Sequence, residues 1–177
     1  MEINEFQSEL FRILEERFRE LGFETERVPG LGESGRQAGD TLLFLMPVTE
    51  KDDRVITDIR FVMIGGERYC IQLFFTIFTD LKDGYEELEK AVPALNFYAR
   101  FGTYGMLPSQ RHFWQRYSVP LRELDLTDGA QGFAVALLDV LDLIREQNTL
   151  IYDIIASLAS GRTTYEAVVQ AGLISEF

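Results

Sequence analysis

Cysteine is nearly missing from this 177-residue chain: Cys70 stands alone, which excludes an intramolecular disulfide framework. It sits in an apolar segment, where a buried, inert thiol is expected, and that suits a reducing cytosol. Histidine is equally scarce, and the single His112 is flanked by Arg111 and Phe113. A lone histidine makes a poor metal site, so no metal is expected, and His112 reads as a partly exposed strand residue. The sequence holds no Gly-x-Ser-x-Gly elbow and no Gly-Lys-Ser/Thr phosphate loop. Cys70 has no histidine in its local pattern to activate it. Together these gaps point away from an enzyme, and neither a catalytic residue nor a cofactor is expected. Long apolar runs are missing too: nothing approaches the ~18 residues that span a bilayer. Residues 1–5 lack the basic start and continuous apolar core of a signal peptide, so a cytoplasmic, non-membrane protein is expected.

Positive charge is the minority sign. Against 29 acidic side chains stand 17 basic ones, a formal net charge of -12, and the basic residues are scattered singly. Such a chain repels phosphate backbones, which excludes nucleic acid as the expected partner. What is present is an ordinary globular composition, 46% apolar and 26% charged, long enough for one domain with its own core. We therefore expect a single domain over 1–177, with a core over 1–160 and a short helical tail over 161–177.

Apolar residues at Ile3, Phe6, Leu10, Ile13, Leu14, Phe18 and Leu21 predict a helix that Gly22 stops. Residues 28–35 read as an exposed loop, followed by strands over 41–48, 55–64 and 69–79. Gly65-Gly66-Glu67 reads as a hairpin turn, which makes the last two of these antiparallel. Along 69–79 one face carries Tyr69, Ile71, Leu73, Phe75 and Ile77, and the other carries Phe74 and Phe78. That surplus of apolar surface marks either a central strand covered on both sides or a contact surface. Helical spacing returns over 85–101, with Pro93 expected to kink or restart it. Gly102 and Gly105 bracket a turn, 111–121 reads as a last strand, and 128–160 as a long helix. A short helix over 165–172 follows, with Thr163 and Glu166 resembling a capping box. The fold class expected is α+β, in the order α-β-β-β-α-β-β-α plus the short C-terminal helix.

Gly30-Leu31-Gly32-Glu33-Ser34-Gly35 is a literal G-x-G-x-x-G. The dinucleotide fingerprint needs a strand before it and a helix after it, whereas here a helix is expected before and a strand after, so a loop is the reading. The most distinctive stretch is aromatic: Phe97, Tyr98, Phe101 and Tyr104, followed by Phe113, Trp114 and Tyr117. Aromatics in helices and strands are ordinarily core. The alternative is an apolar groove or dimer face, where aromatics and arginine are also enriched. Leu95 and Ala99 fit the sheet side, while Tyr98 and Phe101 point elsewhere.

The order of elements, Leu95-Asn96 near the end of the middle helix, Gly102 after it and the charged-aromatic strand over 111–121 resemble the YbjN family. That family in turn resembles the class I type III secretion chaperones. The likeness covers residues 3–160. It implies a twisted antiparallel sheet with helices packed against it, a homodimer, and a surface that holds an extended segment of another protein. It carries no catalytic residue. The chain departs from the compact secretion chaperones in its length, in Pro93 and in its tail at 165–173. The leading expectation is thus a non-catalytic, chaperone-like protein-binding module, with Phe74, Phe78, Tyr98 and Phe101 as candidate interface residues. The competing one is a small-molecule-binding domain or hydrolase that uses scattered carboxylates near residues 30–40, with Asp40 among them, or near His112.

Overall fold

Apolar side chains at every third or fourth position make Ile3–Glu20 helix α1, and Gly22, at φ 82, ends it as expected. Arg17 and Arg19 in its last turn complement the partial negative charge of the exposed carbonyls there. The structure is a computed structural model that describes residues 2–30, 37–49, 52–65 and 68–174. Its strands are β1 (Thr25–Val28), β2 (Gln37–Pro47), β3 (Arg54–Gly65), β4 (Arg68–Phe78), β5 (Thr103–Leu107) and β6 (His112–Pro120). They form one antiparallel sheet in the order β1-β2-β3-β4-β6-β5, with helices packed on it. The remaining helices are α2 (Tyr85–Tyr98), α3 (Glu123–Asp128), α4 (Ala130–Ala159) and α5 (Tyr165–Gln170).

The α+β class and the order of the main elements are those read from the sequence. Two elements were not legible there. Strand β1 is four residues long, with Glu26 and Arg27 exposed, and pairs with residues 41–44 of β2. A short charged strand at a sheet edge carries no apolar alternation, because its job is to end the sheet. Helix α3 is six mostly polar residues, held by Arg122 and Asp125 on one another. A third difference concerns residues 102–105. Gly102, at φ 76, makes the turn, but Gly105 lies inside β5 opposite Trp114, where a Cβ would collide with the indole. That glycine serves close packing within a strand. Helix α2 ends at Tyr98 and runs through the exposed Pro93 without restarting. The G-x-G-x-x-G stretch falls largely outside the described residues, as do Gly66 and Glu67 of the hairpin. Among the described residues the element before the glycine stretch is β1, not a helix, and the next one after it is β2, where a dinucleotide site needs a helix.

Two compact units form among the described residues. The first takes residues from 1–46, 56–74 and 118–143, the second from 47–55, 75–117 and 144–177. In the first, Phe6 and Phe11 of α1 meet Phe61 of β3 edge-on, with ring centroids 6.4 and 5.9 Å apart. Phe18 stacks on Phe44 of β2 at 4.3 Å. In the second, Leu88, Ala91, Ala94 and Leu95 form the buried face of α2, and Ile144, Ile155 and Leu158 that of α4. Tyr104 of β5 lies parallel to Phe113 of β6, with centroids 5.7 Å apart.

Candidate functional site

The second unit holds a chain of side-chain amides around one buried phenol. Near the end of α2, Asn96 reaches the backbone of Tyr104: its Oδ1 accepts the Tyr104 N–H at 2.6 Å and its Nδ2 donates to the Tyr104 carbonyl at 2.9 Å. One asparagine thereby does for the edge strand β5 what a neighbouring strand would do. The Tyr104 hydroxyl donates to Asn148 Oδ1 at 2.8 Å, and Asn148 Nδ2 donates to Gln115 Oε1 at 2.6 Å. Gln115 in turn donates to the Phe101 carbonyl at 2.7 Å. Gln147 closes the set: its Nε2 donates to the Phe101 carbonyl and to the Tyr104 hydroxyl, both at 3.0 Å, and its Oε1 accepts the N–H groups of Arg100 and Phe101.

Asn148 and Gln115 are fully buried, so the bonds are required to offset their desolvation. Burial pushes the Tyr104 hydroxyl well above the usual phenol range, with Gln147 pulling weakly the other way. This phenol is therefore a neutral structural donor at any physiological pH. Gln147 has both amide hydrogens and both carbonyl lone pairs engaged, so it has nothing left to offer a ligand.

Above this polar floor opens a cleft of about 320 Å³. Leu95, Tyr98 and Ala99 form one wall, Ile151 and Ile154 of α4 another, and Leu173 and Ile174 after α5 a third. Tyr98 of the first wall is 49% exposed; the residue before it, Phe97, is 67% exposed, and the two rings meet edge-on at 5.2 Å. An open cleft with apolar walls and an internally satisfied floor selects by shape and apolarity.

No family model matches this chain, and neither does any curated protein or solved structure. Of the four candidate interface residues, Tyr98 is the one on the cleft. Phe101 is half-buried, edge-on to Tyr117 at 6.3 Å, and contributes its backbone carbonyl to the amide set. Phe78 is half-buried between Phe113 and Tyr152, with centroids 6.3 and 5.8 Å away. Phe74 lies under the guanidinium of Arg60, 5.2 Å from its ring centre, and that arginine pairs with Asp58. Burial pushes the Asp58 carboxyl up despite Arg60 beside it. For the competing reading, Asp40 lies on β2, where its carbonyl accepts from the Gln7 amide at 3.1 Å, and His112 opens β6, half-buried. Among the described residues no three of histidine, cysteine, aspartate and glutamate gather as a metal ion requires. No helix among them is long and apolar enough to cross a membrane.

Sequence reasoning placed Phe97 in the aromatic stretch without naming it an interface candidate, and it missed Gln147, Ile151, Ile154 and Leu173 as site residues. A signal existed for Gln147 and Asn148, since two consecutive amides interrupt an otherwise apolar helix face.

Proposed function

We propose that this chain is a non-catalytic, chaperone-like protein-binding module that works as a homodimer, with the aromatic end of α2 at its contact surface. The observation that carries the reading is the exposure of Phe97 and Tyr98 side by side at the end of α2, where Tyr98 also lines an apolar cleft. Aromatic side chains in that setting are the usual anchors of protein contacts, because they bury large area at small entropic cost. The saturated amide set beneath them supports binding by apolar side chains over binding that needs a hydrogen-bonding or charged ligand. The resemblance to the YbjN family and to type III secretion chaperones points the same way, toward a dimer that holds a segment of another protein.

The test is the solution mass over a range of concentrations, for the parent chain and for Phe97→Ser and Tyr98→Ser. A dimer that either substitution weakens at least tenfold, with an unchanged thermal midpoint, is the expected result. A strict monomer at every concentration defeats the homodimer reading. Equal loss of dimer and of fold assigns the two rings to packing instead.

A further inference from the structure

The third wall of the cleft is a short appendage, and the way it is attached is informative. Helix α5 has six residues, and the turn Ala171–Ile174 follows it. Thr164 caps the helix by accepting the Ala167 N–H at 3.2 Å. Glu166, which the sequence suggested as the reciprocal partner in a capping box, instead reaches Lys90 of α2 at 3.3 Å. The carboxylate of Glu87, also on α2, accepts the Tyr165 N–H at 2.7 Å. Lys90, with Tyr165 adding to the effect, holds Glu87 below the usual carboxylate range. Two side chains anchor the segment in the apolar interior, Val168 and Ile174, while Leu173 is 58% exposed.

The segment is flanked by open space. On one side lies the cleft just described. On the other is a second cleft of about 450 Å³, lined in part by Asp153, Ser157, Thr163 and Ala167. Ile154 and Leu173 belong to the walls of both clefts. A helix of six residues is not stable in water on its own, so α5 exists only while docked. Few anchors, open flanks and a docked-only fold define a low-stability unit that opens without the rest of the molecule. Its tether is residues 160–164, in which Gly161 takes the left-handed conformation at φ 66, beside Asp83.

We propose that α5 is exchanged between two copies of this chain, each copy's α5 and its following turn completing the cleft of the other. The occupant is the same segment of a second copy, because the chain's own segment already fits this groove in shape, in apolar anchors and in charge. Lys90 and Glu87 make the same bonds to an identical segment from a second copy, so exchange keeps the contacts of the closed form, and the hinge absorbs the change. Leu173 and Ile174 then reach the cleft from the partner copy, and the site is incomplete in a monomer whose tail has undocked. The inference rests on the homodimer part of the reading above and adds which element is shared.

The experiment uses the full chain and the native Lys90–Glu166 contact. Isotopically heavy and light protein are unfolded together, refolded at high concentration and treated with a zero-length carbodiimide, which joins an amine to a carboxylate in contact. Exchange is expected to give cross-linked peptides with Lys90 from one isotope and Glu166 from the other, in a share that rises with concentration. Val168→Asp, which removes an anchor of α5 alone, is expected to abolish both the mixed cross-link and the dimer. Cross-links of one isotope only overturn the exchange. If a dimer persists in Val168→Asp and falls in Phe97→Ser, the exchange is wrong and the aromatic contact stands.

Discussion

At the scale of single residues, asparagine and glutamine carry the specificity of the second unit. Asn96 pairs both backbone groups of Tyr104, and replacing it with alanine strips the edge of β5 of two hydrogen bonds that only water can replace. We expect Asn96→Ala to lower the unfolding free energy by about 1–2 kcal/mol in chemical denaturation, within the range for partly buried hydrogen bonds. Tyr104 offers a second handle through pH. Its phenol keeps its proton in the folded chain well beyond the point, near pH ~10, at which an unfolded tyrosine ionises. The folded state then binds the extra proton, so stability is complete below about pH 10 and declines as pH rises above it. In Tyr104→Phe that alkaline decline is expected to be shallower. The same substitution costs about 1–3 kcal/mol at neutral pH, because Asn148 and Gln147 each lose a buried partner.

At the scale of elements, backbone approach matters more than propensity. Gly105 would read as a turn residue by composition, yet it occupies a strand because the Trp114 indole crosses its face. Gly105→Ala introduces a methyl group where the ring lies and is expected to cost about 1–3 kcal/mol by overpacking. A fall in the denaturation midpoint, with a shift of Trp114 fluorescence, checks it; an unchanged midpoint means that the indole moves aside freely. Pro93 illustrates the opposite lesson. Proline in a helix interior removes an amide donor, and the sequence reading expects a kink or restart for that reason. The residue is exposed and α2 passes through it, so the freed carbonyl one turn earlier has access to water instead of lying in the core.

At the scale of the whole molecule, charge is the dominant long-range property. A net charge of -12 on 177 residues opposes compaction through self-repulsion, and the ion pairs at the surface, such as Arg12–Glu16 and Arg17–Glu20, are too exposed to offset it. Added salt screens the repulsion, so the thermal midpoint is expected to rise between about 10 and 150 mM sodium chloride, where the screening length falls from ~30 to ~8 Å. A midpoint that is flat or falls shows that specific ion pairs outweigh the net charge. The same screening favours association of two copies, so any dimer is expected to tighten over that range.

The α+β class, the boundaries of α1, the paired strands β3 and β4 and the long helix α4 are legible in the amino-acid order. In each of these the apolar spacing repeats over enough residues to single out one period, and Gly22 or Gly65 marks an end. That order did not determine β1 or α3, which are short and polar and take their shape from a sheet edge and from the Arg122–Asp125 pair. Nor did it decide which aromatics are exposed. Phe78 and Tyr98 have the same apolar character in the sequence, yet one is wedged between Phe113 and Tyr152 and the other stands on a rim. Burial is a property of what arrives from elsewhere in the chain, and the arrivals here come from residues 113, 147–154 and 173. The cleft, its satisfied floor and its wall at Leu173 and Ile174 come from the tertiary structure alone, because each joins residues dozens of positions apart that no local pattern relates.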